Sequence, residues 1–206
     1  MKSYLLFFLL TSSSLSAFAQ SASTHLTSSS ALLITQRGDT LRGTATVDLA
    51  QSKVQIYADQ GFRVLNFRDV YTLRLYDEMT HRMITYQQYS DRVYRQRPRL
   101  LEQVVVGSVH FLKKSQPRVY DSYFNTIRIA NAQSVVESDY FLWHNGKLQR
   151  VKNFKKQLRA LCETPQHYDQ MTTFAKQGQL KFYRPEDQAR LIHHLNSLTK
   201  LAYSKE

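Results

Sequence analysis

Arginine and tyrosine alternate through the middle of this chain. Arg63, Arg68, Arg74, Arg82, Arg92, Arg95, Arg97 and Arg99 lie between Lys53 and Lys113 with no lysine among them, and Tyr71, Tyr76, Tyr86, Tyr89 and Tyr94 interleave. A guanidinium is planar and offers paired donors to a phosphate or carboxylate; a phenol ring offers stacking area. Such a surface suits an anionic glycan, a lipid head group or an envelope protein. The densest part is "DRVYRQRPR", where Arg92, Tyr94, Arg95, Arg97 and Arg99 stand against one acid, Asp91. Pro98 interrupts regular structure, so the stretch reads as an exposed loop, and loops on a rigid scaffold carry binding groups. These five residues are the expected contact surface. The alternative is a sheet coated with Arg and Tyr, because strand alternation scatters such residues over two faces.

Other reactive side chains are poorly placed for chemistry. There are seven histidines. His193 and His194 are adjacent, so on a helix they point about 100° apart and do not share an ion. His25, His81, His110, His144 and His167 show no ligand spacing, and no metal site is expected. Cys162 is the single cysteine, so no intrachain disulfide forms and the core must be hydrophobic. It shares a helical face with Phe154, Leu158 and Leu161, which reads as a small buried hydrophobe and not as an activated thiolate. The chain has no G-x-S-x-G elbow, no glycine-rich phosphate loop and no H-E-x-x-H. Asp77-Glu78 reads as a solvated strand end. No catalytic residue and no cofactor are expected, which leaves a non-enzymatic binding or structural module. The competing class is an enzyme acting on an acidic envelope component through residues that the sequence does not single out.

Arg37-Gly38-Asp39 spells an adhesion tripeptide. It sits between the strand-like runs "LLITQ" and "LRGTATV", and a hairpin tip needs Gly and Asp for backbone reasons alone.

The elements that position these residues start after an export signal. "MKSYLLFFLLTSSSLSAFAQ" has a positive start at Lys2, a short apolar run and small residues before Gln20. That pattern is a signal peptide over 1–19, too short in its apolar part to span a bilayer. No cysteine follows the cleavage site, as a lipoprotein would need. Residues 20–30 are Ser/Thr-rich and read as a flexible leader. The formal charge is +12; export argues against nucleic acid as the partner. No later segment is apolar enough for a transmembrane helix, so the expected location is the periplasm or the outer surface.

Residues 31–151 read as a β-rich body. "KVQIYA" and "FRVLNF" flank "DQG", "YTLRLYDE" alternates, and Asn145-Gly146 divides "YFLWHNGKLQRV", all signs of antiparallel hairpins. The three valines of "LLEQVVVGSVHFLKK" suggest a strand covered on both faces. Gly107-Ser108 is the expected turn after them, with Gly107 at positive φ; the alternative is one long strand with a bulge. In 113–135, "KKSQPRVYDS" and "NAQSVVES" read as loops and "FNTIRIA" as an edge strand. From 152 to 206 the period becomes helical. Asn153 caps a first helix, Thr164-Pro165 opens a second that Gly178 ends, and Pro185 opens a third with Leu191, Leu195, Leu198 and Ala202 on one face. Strands followed by about three helices make an α+β fold, the strands forming an antiparallel sheet or a small barrel-like body.

The "GDT" hairpin, "LLEQVVVGSVHFL", "YFLWHNGKLQRV" and "FKKQLRALC", in that order, resemble a group of small exported proteins of Bacteroidetes-type bacteria. The resemblance covers most of 33–198. It implies a β-rich body with C-terminal helices and supplies no mechanism. In that group the position matching Cys162 is often Cys and a second Cys often lies near the last helix; "HLNSL" has none, so the resemblance carries over no disulfide.

Overall fold

The computed structural model describes residues 25–78, 80–90, 98–119 and 134–203. Ten antiparallel strands are followed by three helices, an α+β fold. The strands are β1 His25–Thr35, β2 Thr40–Asp48, β3 Lys53–Ala58, β4 Gly61–Asn66, β5 Val70–Asp77, β6 Arg82–Tyr89, β7 Arg99–Val105, β8 His110–Val119, β9 Ser134–His144 and β10 Lys147–Arg150. Their spatial order is β10-β9-β8-β7-β6-β5-β1-β2-β3-β4, so the sheet is open and its ends are β10 and β4. Of the two sequence-based alternatives, sheet or barrel, the sheet is the one formed.

Period-two alternation sorts the side chains. One face carries Leu33, Leu41, Ile56, Leu73 and Leu75, all essentially without solvent contact, and on it Tyr86 and Leu100 continue the same cluster. Each such side chain contributes about 1.5–3 kcal/mol on burial. Farther along the same face, Phe111 and Leu142 meet the helices α1 Phe154–Leu161, α2 Pro165–Gln177 and α3 Pro185–Tyr203 through Phe154, Leu158, Met171, Leu191, Ile192 and Leu195. The opposite face holds a smaller cluster of Tyr89, Leu101, Leu112 and Phe141. The sheet curls: Leu49, Ala50 and Ser52 of the β2–β3 turn, with Phe67, line one cavity of about 240 Å³ together with Tyr86, Leu100 and Lys113–Gln116 of β8.

Several expectations are corrected. The flexible leader was expected to reach residue 30, but β1 begins at His25. Ser28 explains the difference. Its Oγ accepts from the Ser30 and Tyr76 amides and donates to the Ser30 carbonyl, satisfying the backbone at a register shift in β1. Thr27 and Thr46 face each other across β1 and β2, and Leu26 packs on the core. The polar stretches expected as loops are strands up to Val119 and from Ser134 on, paired from Lys114↔Asp139 to Val119↔Ser134; "FNTIRIA" lies outside the described residues. The valine run is not covered on both faces, because Val104 and Val106 are 40% and 57% exposed. Gly107 lies in a hairpin loop, as expected, but is not among the positive-φ glycines. Its lack of a side chain serves packing instead: a Cβ there would sit 2.3 Å from Asn196 Nδ2. Tyr71 is out of phase with Leu73, since Val70 takes the buried position next to a register shift.

The turn chemistry holds. Asn145 and Gly146 have φ of 49° and 77° between β9 and β10. Arg37-Gly38-Asp39 is the β1–β2 tip, with Gly38 at φ 89°. The tip is held by Thr35, whose Oγ1 accepts from the Arg37 and Asp39 amides while its N–H donates to the Asp39 carbonyl. Among the described residues, no helix is long and apolar enough to cross a membrane.

Candidate functional site

The region where sheet and helices meet forms a cleft of about 470 Å³. Three short stretches line it: Ser138–Tyr140 of β9, Arg150–Lys155 at the β10–α1 junction, and Phe182, Tyr183, Pro185 and Gln188 around the start of α3. Local chemistry fixes each stretch. The Val151 amide donates to the Tyr140 carbonyl and extends the β9–β10 ladder by one step. The chain then turns into α1, where Asn153 Oδ1 accepts from the Lys156 amide at 3.1 Å as the cap. Gln157 Oε1 accepts from the Lys152 amide, which fixes the residue before the cap. The α2–α3 linker is held from below by Gln188, a buried side chain whose Nε2 donates to the Phe182 carbonyl at 2.7 Å. Asp187 accepts from the Lys181 amide at 2.9 Å.

The floor is aromatic. Phe154 is buried and stands edge-on to Phe111, which stacks on Tyr140 at 5.3 Å. Phe182 packs beside Phe154, and the Lys155 ammonium lies 5.9 Å over the Phe182 ring. Tyr183 is 74% exposed at the rim, with the Arg184 guanidinium over its ring. Arg150, Lys152 and Lys155 supply positive charge. Asp139 is the single carboxylate among the described lining residues, and it is shared by Arg150 and Gln116. The Tyr140 hydroxyl is pushed up by burial and by Glu186 and Glu102 nearby. The cleft therefore joins stacking surface to cations and offers no histidine for proton transfer among those lining residues.

A second polar group lies on the opposite face. Tyr89 Oη and His110 Nδ1 are 2.7 Å apart, Gln103 Nε2 donates to Tyr89 Oη, and His110 stacks obliquely on Trp143 at 4.8 Å. Burial lowers the His110 pKa, opposed by a hydrogen bond with the Gly107 backbone. Burial also raises the Tyr89 pKa, opposed by the Gln103 bond. Both shifts favour the neutral forms near pH 7, and the His110 tautomer sets the direction of the Tyr89–His110 bond. The pair is a closed network, with both partners occupied.

The residues singled out from sequence separate in the structure. Arg92, Tyr94, Arg95 and Arg97 lie outside the described residues. Arg99 opens β7, is exposed, pairs across the ladder with Tyr89 and places its guanidinium 5.8 Å over the Phe141 ring. Arg63 and Arg82 lie on the core-side face at its rim, while Arg74 is on the other, so the arginine series does not form one surface. Arg82 reaches the buried Glu102 at 4.0 Å, where Lys113 also pairs at 3.2 Å. Tyr86 and Tyr89 are core residues, and Tyr71 is exposed. Cys162 is a free thiol, half-buried against the helical cluster, and burial raises its pKa away from the thiolate. No three His, Cys, Asp or Glu side chains among the described residues gather as metal ligands.

The cleft has a signal in the sequence that the arginine series obscured. "KNFKK" and "KFYRP" each set cations around an aromatic residue at the edge of a helix. Comparison with known proteins finds no matching family model, curated protein or solved structure.

Proposed function

We propose that this chain is an exported, non-enzymatic binding module of the cell envelope, and that the cleft at the sheet–helix junction takes a short stretch of anionic glycan. The carrying observation is the exposed Tyr183 ring beside Lys152 and Lys155, over a floor of Phe154 and Phe182. A flat ring suits the face of a sugar, and lysines at its edge suit a carboxylate or sulfate. The three cations outnumber the single lining carboxylate, and that carboxylate is already paired. Binding is favoured over catalysis because no neutral histidine or free carboxylate among the lining residues faces the cleft. The export signal, the likeness to small exported proteins and the basic charge of +12 fit the same reading.

The test is equilibrium binding of an oligogalacturonate at low salt. Tyr183→Ala and the pair Lys152→Ser/Lys155→Ser should each weaken binding about tenfold, and binding should fall steeply with salt as exposed charges are screened beyond roughly 8 Å. Unchanged affinity in both variants would remove the cleft as the site. Equal retention of the Tyr183→Ala variant on phosphatidylglycerol vesicles, with loss in the lysine variant, would move the reading from glycan to lipid.

A further inference from the structure

The two edges of the sheet are not equivalent. At β10 the Val151 amide bonds to the Tyr140 carbonyl, so by the two-residue repeat Leu148 and Arg150 turn their backbone groups outward. β10 is four residues long, carries Lys147 and Arg150, and has its Arg150 carbonyl taken by Gln157 Nε2 at 2.9 Å, while β9 pairs with it only over Phe141–His144 and continues the edge through Ser134–Asp139. Short length, charge and cover are the devices that keep an edge from pairing. At β4 the Phe67 amide bonds to the Ser52 carbonyl at 2.9 Å, one step beyond Lys53↔Asn66. The same repeat turns Gly61, Arg63 and Leu65 toward β3 and leaves the amides and carbonyls of Phe62, Val64 and Asn66 facing out. Phe62 and Val64 are 51% and 49% exposed, and the Tyr57 and Phe62 rings lie tilted against each other at 4.6 Å. Among the described residues, this edge carries none of these devices beyond Arg63.

We propose that β4 is a self-association edge, and that it pairs antiparallel with β4 of a second copy about a two-fold axis at Val64. Charge selects this register. With the axis at Arg63, two guanidiniums would stand directly opposite, which is destabilising. With the axis at Val64, Arg63 meets Leu65 of the other copy, Phe62 meets Asn66, and all three outward residues of each strand find partners. Tyr57, Phe62 and Val64 of both copies then form one apolar stripe across the joint. The contact is isologous and closes at two. A six-residue strand pair buries less than the roughly 1,000 Å² of a stable interface, so the dimer is weak and concentration-dependent. Each copy carries +12, so added salt strengthens association.

Sedimentation velocity of the purified chain tests this. The expected result is a dimer fraction that rises with concentration and with salt. Val64→Pro should be monomeric with its melting temperature kept, because proline is tolerated on an edge strand where the lost N–H faced solvent; Val64→Thr should still dimerise. If the proline variant does not fold, Val64→Cys under oxidised glutathione should cross-link across the axis, and Arg63→Cys, which faces Leu65, should not. A parent chain monomeric throughout, a dimer that survives in folded Val64→Pro, equal cross-linking of the two cysteine variants, or a monomer that instead binds a synthetic β4 peptide carrying acidic residues would each overturn the proposal.

Discussion

Asn196 on α3 holds the main chain of Val109 in both directions. Its Nδ2 donates to the Val109 carbonyl and its Oδ1 accepts from the Val109 amide, each at 2.9 Å, and Ser108 Oγ donates to the same Oδ1. One amide side chain thus stands in for a strand partner at the β7–β8 loop and locks the last helix to the sheet. Asn196→Ala should cost about 2 kcal/mol, since two backbone groups lose partners. Gly107→Ala should also destabilise, because its Cβ would meet the Asn196 amide. In a double-mutant cycle by urea denaturation, Gly107→Ala should cost less when Asn196 is already alanine. Additive losses would contradict the contact.

Gly43 and Gly38 both sit at positive φ but should respond differently to alanine. A Cβ on Gly43 would lie 1.9 Å from the Tyr57 carbonyl oxygen, in the backbone of the neighbouring strand, so β2 and β3 would have to part. The expected loss is about 3 kcal/mol. A Cβ on Gly38 meets nothing within 4 Å, and only the left-handed conformation is penalised, by about 1 kcal/mol. Urea midpoints of the two variants check the order.

The pair of Glu102 and Lys113 lies between the two clusters of the core-side face, with Arg82 at 4.0 Å. Lys113→Met should cost about 3 kcal/mol, because it leaves a buried carboxylate with one distant cation. Replacing both, Glu102→Leu with Lys113→Met, should restore most of that loss. Thermal unfolding of the single and double variants decides it.

Stability should fall as pH drops below neutrality. The folded-state pKa of His110 is lowered by burial, and that of His194 is lowered by burial and by His193. The unfolded chain then binds more protons than the native one between each folded value and about 6.5, so unfolding free energy rises with pH through that window and is full above it. The urea midpoint should be higher at pH 7.5 than at pH 5.5, and His110→Gln should flatten part of the difference. An unchanged slope in that variant would assign the effect to His194 or other groups.

The hairpin tips and helix ends were legible because they depend on one or two residues each. Asn145-Gly146, Asn153 and Thr164-Pro165 act through local backbone geometry, and each lies where its chemistry requires; Gly178 ends the second helix as expected, but at φ −83°, and the positive φ of 50° falls to Gln179. The outer half of β8 and the first half of β9 were not legible. Lys113–Gln116 and Val136–Tyr140 are half-buried and largely polar, so no hydrophobic period marks them, and Pro117 argues locally against a strand. They form because each completes the ladder of the other, a long-range fact with no local trace. The start of β1 was hidden for the same reason: Ser28 reads as leader until Tyr76, far along the chain, donates to it. The cleft was hidden because its three stretches are brought together by packing alone. Ile192, beside the expected Leu191 and Leu195, was legible only in part, since the buried face of α3 is wider than one stripe.

Every neighbouring pair of strands in the sheet is consecutive in the chain except one, β1 with β5. The first four strands can therefore form a meander as soon as they exist, with loop closures of only a few residues. Until β5 arrives, β1 presents Leu33 and its neighbours along an open edge. The β1–β5 joint closes the longest loop between neighbouring strands, so by topology it should be the slow step, and the interval before it is when a half-made chain should be most exposed to pairing with another. Ala31↔Leu75 and Leu33↔Leu73 are the contacts of that joint, so changes there should act on the folding rate and on the yield of soluble chain before they act on anything the finished fold does.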